Sequence, residues 1–212
     1  MDLKEIQKLI ESEGYNSSDI AVMYRVNSQA QPIEEVCIRY GIRYQLIGGV
    51  KFAQRQEIKD LTAYLRLIAN PKDDLSLTRI ANVPPRHIGK RTLDKLRQVA
   101  WAFNTSMFAA IPIATENDSS FGKKQTESLL SFHKIIQNFT EELYNLDLVT
   151  LIDRVLEETG YDHYLQHDQI SGETRWNNLQ NLKNNTARNY LILNEQEALI
   201  AFLEQLSLQS DI

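Results

Sequence analysis

Residues 56–71 read QEIKDLTAYLRLIANP, and this stretch sets the fold class of the chain. Its apolar residues recur at spacings of three and four, the period of one helix face: Ile58, Leu61, Leu65 and Ile68. Pro71 ends the helix, because a residue that precedes proline is pushed out of the helical region. Similar stripes lie in residues 129–143, 148–156 and 199–206. The sequence therefore predicts a mainly α protein, with flexible stretches at Ala114–Gly122 and Gln166–Thr174.

The first 50 residues have a different pattern. They predict helices over residues 3–13 and Gln29–Tyr40, and strands over Asp19–Tyr24 and Arg43–Ile47. Helix, strand, helix, strand is typical of an α/β layer, but two strands alone do not make a stable sheet. We therefore expect a small, incomplete α/β segment that either packs on a missing partner or belongs to a longer protein.

Composition excludes several classes of protein. Cys37 is the single cysteine, so an intramolecular disulfide and a four-cysteine zinc site are both excluded, and its apolar neighbours favour a packing role. No run approaches the ~18 apolar residues of a membrane span, and the N-terminus has no secretory signal pattern. These features predict a cytoplasmic protein without a membrane partner.

Charge is distributed unevenly along the chain. Residues 1–100 have 16 basic and 12 acidic side chains, whereas the net charge of the whole chain is −5. Six basic residues and one acid, Asp94, fall within Arg79–Arg97. Such a local patch can bind phosphate although the chain is acidic, because screening limits each charge to about 10 Å.

The most informative part of this patch is the segment Asn82–Leu93, NVPPRHIGKRTL, which we call the basic hairpin. It joins a predicted short helix to a longer one that starts near Lys90, and Ile88 is expected to enter the core. Gly89 precedes a helix start whose free amides, flanked by Lys90 and Arg91, suit a phosphate. From the residues alone, an ordinary tight turn with solvated cations remains an equal alternative.

Other chemical motifs are absent or weak. The glycine-rich G-x-x-x-x-G-K-[ST] loop that holds ATP phosphates does not occur. His163 and His167 are four residues apart, a spacing that two metal ligands on one helix face also have. Their apolar neighbours favour the edge of a core, and the sequence predicts no metal site.

Three ordered motifs resemble the UvrD/PcrA/Rep family of superfamily 1 DNA helicases. DIAVMYRVNSQAQ at 19–31 resembles the family's DIAVLYRxNxQSR stretch, and GGVKFAQRQEIKD at 48–60 resembles GGxRFFERxEIKD. RHIGKRTL at 86–93 resembles RGIGxxTL, with His87 in place of the first glycine. The resemblance covers nearly the whole chain.

This resemblance implies a fold and a division into subdomains. Residues 1–47 correspond to part of the RecA-like subdomain 2A, and residues 48–212 to the helical subdomain 2B with its helix-hairpin-helix-like GIG element. The chain then looks like an excised piece of an ATP-dependent 3′-to-5′ DNA helicase of repair or replication. ATP and magnesium belong to the full-length parent, and the fragment alone is expected to bind no cofactor and to have no catalytic residue.

The resemblance also implies DNA contacts, residue by residue. Arg25 and Asn27 match residues that lie along single-stranded DNA. Duplex DNA is expected at Lys59 and in the basic hairpin, at the following positions: His87, Gly89, Lys90, Arg91 and Thr92. The implied partners are a single-strand/duplex junction, the rest of the helicase chain and, further, repair proteins.

Two other functions stay open at this point. The acidic second half, with 7 basic and 16 acidic residues, suits a helical protein-interaction module that does not bind DNA directly. A self-contained enzyme around His163 and His167 is a third, weaker alternative. Binding of DNA at low salt separates the first alternative from the helicase interpretation.

Overall fold

The computed structural model describes residues 3–25, 29–46, 52–117, 121–189 and 194–211. Within these ranges the regular secondary structure is helical, which confirms the predicted mainly α class. The α-helices in chain order are α1 Leu3–Glu11, α2 Ala30–Arg39, α3 Gln56–Ala69, α4 Asp74–Ile80, α5 Lys90–Ala102, α6 Met107–Asn117, α7 Lys123–Glu142, α8 Leu148–Glu158, α9 Tyr161–Gln166, α10 Gly172–Asn189 and α11 Glu195–Asp211. The chain divides into two units, one formed by the residues up to Arg55 with those from Ser207, the other by Gln56–Leu206.

The N-terminal unit contains both predicted helices but neither predicted strand. α2 buries residues on one face at a helical spacing, Ala30, Glu34 and Cys37, and ends before Gly41, whose φ of +65° suits glycine. Residues 20–24 and 42–46 have no regular secondary structure, so the strand prediction is wrong for the described part of these segments. The two segments do not pair in a ladder, and an unpaired segment leaves its backbone groups without strand partners.

Both extended segments line a cleft of about 970 Å³ in the N-terminal unit. Ile6, Val22 and Ile33 contribute apolar surface, and Glu34 contributes a buried carboxylate. Cys37 also lines it and is 4% exposed, which confirms its packing role. Burial raises the pKa of the Cys37 thiol, and the negative charge of Glu34 raises it further, so the thiol is a poor nucleophile.

The second unit is built around α3. The four residues of its predicted stripe are 0–1% exposed, which confirms the prediction, and α3 packs against α4, α7, α8 and α10. The helix ends at Ala69, immediately before Asn70-Pro71. α5 packs on α6 and α6 on α7, while α8, α9 and α10 pack on one another. Gly160, with φ of +71°, separates α8 from α9.

The predicted flexible stretches are partly helical. α6 extends to Asn117 although it contains Pro112, and α10 begins at Gly172 inside the polar stretch that follows α9. Asp168 explains the second case, because its carboxylate accepts hydrogen bonds from the Ile170 and Ser171 amides and leads the chain into α10. None of the helices in the described ranges combines the length and the apolar character that a bilayer crossing requires.

Candidate nucleic-acid interface

The basic hairpin connects α4 to α5 and is closed by one side chain. The Oδ1 atom of Asn82 accepts hydrogen bonds from the backbone N–H of Arg86 at 2.7 Å and of Ile88 at 3.1 Å. These two bonds draw the loop around the asparagine, a local closure typical of this residue type. Ile88 is fully buried, as the sequence predicts, so the loop is pinned to the core just before Gly89.

Arg86 holds the hairpin to the rest of the unit. Its guanidinium donates to four oxygens: Tyr64 Oη at 2.8 Å, Ile80 O at 3.3 Å, Pro84 O at 3.1 Å and Thr159 O at 2.7 Å. Two of these acceptors lie at the C-terminal ends of α4 and α8, where helix dipoles favour a cation. Arg86 is thus a structural cross-link between distant segments.

Tyr64 on α3 completes this cross-link. Burial raises the pKa of the Tyr64 hydroxyl, so the group stays protonated, and it donates to the carbonyl of Val83 while accepting from Arg86. The guanidinium also lies 6.0 Å from the Tyr64 ring and 5.9 Å from the Phe132 ring. Because Arg86 is bound on so many sides, it is not available to a ligand.

The exposed end of the hairpin consists of His87, Gly89, Lys90 and Arg91. His87 adopts φ of +61°, which lies in the left-handed region in which glycine is favoured. Gly89 is the N-cap of α5 with φ of −80° and ψ of 177°, an extended conformation open to any residue. Thr92, by contrast, is only 7% exposed.

The space in front of Gly89 is open. A Cβ atom built at this position would meet no other atom within 4 Å. The first α-helical hydrogen bond of α5 runs from Leu93 N to Gly89 O, so the amides before Leu93 point out of the helix start. The amide end of α5 therefore faces accessible space beside two cations.

The predicted six-residue basic patch is smaller in the structure. Four of its members already interact with protein groups: Arg79 with Asp60 at 2.7 Å, Arg86 with the four oxygens, Lys95 with the Phe121 ring at 5.5 Å and Arg97 with Asp94 at 3.0 Å. Lys90 and Arg91 are exposed and have no ion pair or hydrogen bond from their side chains within the described residues. The available positive charge is thus concentrated at the start of α5.

Lys59 lies on α3 between two buried carboxylates, Glu57 at 3% and Asp60 at 2% exposed. Buried carboxylates need polar partners. α4, α9 and α10 supply them, with Arg79 and Tyr161 each 2.7 Å from Asp60, and Asn178 at 2.7 Å and Arg175 at 3.6 Å from Glu57. These contacts fix the rotation of α3 and leave Lys59 exposed.

Two other predicted site residues lie in the N-terminal half. Arg25 is exposed, and its backbone N–H donates to Gln29 Oε1 at 3.0 Å. Asn27 lies outside the described residues, as do Gly48-Gly49 and Lys51 of the second family motif. Arg25 belongs to the N-terminal unit and the basic hairpin to the other unit.

A model of the UvrD-like helicase C-terminal domain matches residues 3–212 of the chain. The chain belongs to this helicase family. It is 39% identical over 218 residues to the ATP-dependent DNA helicase PcrA of Staphylococcus epidermidis, which covers 99% of this chain and 29% of that protein. The corresponding enzyme of Bacillus subtilis is 38% identical over 196 residues, 92% of this chain and 26% of its own length. The chain thus spans less than a third of these relatives.

Membership in the UvrD-like helicase family confirms the resemblance at the level of the family. Two positioning residues of the hairpin, Asn82 and Arg86, were not predicted from the sequence. A local signal exists for Asn82, because an asparagine shortly before two prolines is typical of a turn that the asparagine side chain closes. The cross-link by Arg86 has no local signal, because two of its four partners, Tyr64 and Thr159, are 22 and 73 residues away in sequence.

His163 and His167 lie next to each other in this helicase domain. The rings of His163 and His167 lie 4.4 Å apart, and His167 Nδ1 is 2.8 Å from the backbone oxygen of His163. In the part of the chain that the structure describes, no group of three or more His, Cys, Asp or Glu side chains is arranged to hold a metal ion. The backbone N–H of His163 also donates to Asp162 Oδ1 at 2.6 Å.

Proposed function

We propose that this chain is part of an ATP-dependent 3′-to-5′ DNA helicase and that its basic hairpin holds the backbone of duplex DNA. Support comes from the family, from the names of the relatives, and from the exposed cations at the start of α5. In this proposal residues 1–47 are part of subdomain 2A, residues 48–212 are subdomain 2B, and the basic hairpin is its GIG element.

The observation that carries the proposal is the open space at Gly89. Its backbone angles are allowed to every residue, and no atom lies where a Cβ would be, so packing does not require a glycine there. A missing Cβ instead permits close approach of a phosphate to the free amides. Lys90 and Arg91 then supply charge without reading sequence, as backbone contacts do.

The other predicted contacts keep subordinate roles in this proposal. Lys59 reaches the same duplex from α3, and Arg25 with Asn27 follows the single strand along the 2A surface. Thr92 contributes its backbone amide, because its side chain is largely buried. His87 adds a polar ring at the exposed edge of the hairpin.

Nucleotide chemistry belongs to other parts of the parent protein. The cleft of the N-terminal unit does not fit a magnesium-nucleotide complex, because its lining is largely apolar and contains the buried carboxylate of Glu34. A triphosphate requires glycine-loop amides and several cationic side chains, whereas Arg43 is the single cation among the described residues that line the cleft. We therefore expect the isolated chain to bind DNA without hydrolysing ATP.

The test measures binding of a blunt stem-loop DNA to the full chain over a series of salt concentrations. The double variant Lys90→Ala/Arg91→Ala should bind at least about tenfold more weakly and lower the salt slope by about 2, because two phosphate contacts are lost. The matched control is Lys123→Ala/Lys124→Ala, which removes two exposed lysines after the glycine that starts α7. Equal affinity and slope for both variants would contradict the proposal, and so would wild-type protein that binds no duplex at low salt.

A further inference from the structure

One solvent-facing stripe of α5 combines charge with an aromatic ring. Residues four, seven and eleven positions after Lys90 return to the same side of an α-helix, and here they are Asp94, Arg97 and Trp101. The opposite side of α5 is buried through Thr92, Leu93, Leu96 and Ala100. Trp101 is 87% exposed, so its indole ring lies almost entirely in water.

The exposure of Trp101 is unfavourable for a large aromatic side chain. Burial of such a ring contributes more to stability than burial of almost any other side chain. α5 nevertheless turns Trp101 outward, onto the face that begins with the exposed Lys90 and includes Arg97. An aromatic ring beside cations is the combination with which proteins bind single-stranded nucleic acid, through stacking and phosphate contacts.

We propose that this face of α5 binds the unpaired strand next to a duplex, with Trp101 stacking on one of its bases. The inference rests on the proposed function, because it takes the start of α5 as the point where the duplex backbone is held. Trp101 lies about 16 Å further along the helix axis, close to the rise of five nucleotides. Bases inside a duplex are already stacked, so only an unpaired base can accept the indole ring.

Charge favours nucleic acid over a protein as the occupant of this face. α5 contains four basic residues and one acid, and the acid, Asp94, is neutralised by Arg97 at 3.0 Å. A neutral apolar partner that covered this stripe would remove water from the exposed cation of Lys90, which costs free energy. A polyanion compensates that charge.

The first experiment compares DNA probes on the full chain. A stem-loop with a single-stranded tail of about 12 nucleotides is titrated beside the blunt stem-loop. Wild-type protein should bind the tailed probe more tightly than the blunt one. Trp101→Ala should weaken binding of the tailed probe about tenfold and leave the affinity for the blunt probe unchanged. Trp101→Phe should keep most of the gain and Trp101→Leu should lose it, because stacking needs an aromatic ring.

A matched control and a direct optical readout complete the design. Ile170→Ala removes another large apolar side chain, 98% exposed between α9 and α10, and should bind both probes as the wild type does. The chain has two tryptophans, so Trp176→Phe leaves Trp101 as the single reporter, whose fluorescence should be quenched by the tailed probe.

Two results would overturn the inference. One is a Trp101→Ala variant that binds the tailed probe as tightly as the wild type, and the other is Trp101 fluorescence that does not change when the tailed probe saturates the protein. If the blunt probe still binds with a steep salt dependence in either case, the duplex role of the hairpin stands. If the blunt probe does not bind at all, the proposed function itself fails.

Discussion

Two helices of this chain begin with the same local sequence, a glycine followed by two cations. Gly89-Lys90-Arg91 starts α5 and Gly122-Lys123-Lys124 starts α7. Both glycines are extended N-caps, with φ/ψ of −80°/177° and −65°/154°. At Gly89 the Cβ position is open, whereas at Gly122 the side-chain oxygen of Gln125 occupies it. The same three-residue pattern therefore leaves open space at the Cβ position in α5, whereas the Gln125 side chain fills that space in α7.

The segments that precede the two glycines differ as well. α5 follows a loop closed by Asn82 and fixed by Arg86, whereas Phe121 before α7 is simply buried. A helix start with cations is common and is not by itself a binding site. α5 differs because Asn82 and Arg86, which lie outside the helix, hold its exposed start in place. Substitution of Arg86, Asn82 and Gly89 one at a time tests which of them makes the start of α5 different.

The largest effect is expected from Arg86→Met. It removes the donor for four oxygens in a partly buried site, and each buried acceptor that loses its donor costs about 1–3 kcal/mol in the free energy of unfolding. Urea unfolding measures this cost. Lys124→Met at the start of α7 is the control and should change stability by less than about 0.5 kcal/mol. Similar values for the two variants would remove the distinction between the helix starts.

Arg86→Lys separates the charge of this residue from its hydrogen-bonding geometry, because lysine keeps the charge but lacks the planar guanidinium. We expect an intermediate loss of stability and, at a temperature where the variant is folded, weaker binding of the blunt stem-loop DNA. Unchanged binding would mean that the hairpin keeps its shape without the guanidinium.

Asn82→Ala should have the next largest effect. Two backbone amides lose their acceptor, which costs about 1–3 kcal/mol, and the loop before Gly89 loosens. Asn82→Asp keeps an acceptor oxygen at the same place and should restore most of the stability. Urea unfolding and DNA titration on both variants give the measurement, and equal stability of the alanine and aspartate variants would contradict the role assigned to Oδ1.

Gly89→Ala and Gly122→Ala test the glycines themselves. At position 89 the fold has room for the methyl group, so stability should change by no more than about 1 kcal/mol while affinity for duplex DNA falls about tenfold. At position 122 only the flexible Gln125 side chain has to move, and DNA affinity should stay at the wild-type value. If Gly89→Ala binds duplex as tightly as wild type, close backbone approach is not the reason for the glycine.

The sequence correctly predicted helices whose apolar faces pack on one another. It failed where the secondary structure of a segment depends on another segment or on a capping residue. The α3 stripe was correct because its spacing alone fixes the buried face. Residues 20–24 were predicted as a strand from their apolar character, but a strand also needs a paired neighbour. The start of α10 was missed because it depends on Asp168, which caps polar residues that look like a loop.

The same reasoning applies to the candidate site. Lys90 and Arg91 were identified as exposed cations beside a helix start, because local sequence determines both properties. Arg86 was counted in the same basic patch, although its guanidinium is bound by residues from α3 and α8. Charge counted along the chain cannot separate these two classes, since Tyr64 and Thr159, which accept hydrogen bonds from Arg86, are distant in sequence.

The smallest predicted effect is a change in the pH dependence of stability through His133 on α7. His133 on α7 stacks on Phe108 of α6, with ring centroids 4.4 Å apart, and burial lowers its pKa below the usual 6.5. Unfolded chains bind the proton more readily than the folded protein, so this histidine makes stability fall as pH drops below about 6.5. His133→Phe keeps a stacked ring without a titrating group. It should reduce the difference between the urea unfolding midpoints at about pH 8 and about pH 5. At the upper pH the wild-type ring is neutral, so comparison there isolates the packing change. A wild-type slope that persists in the variant would assign the pH dependence to another group.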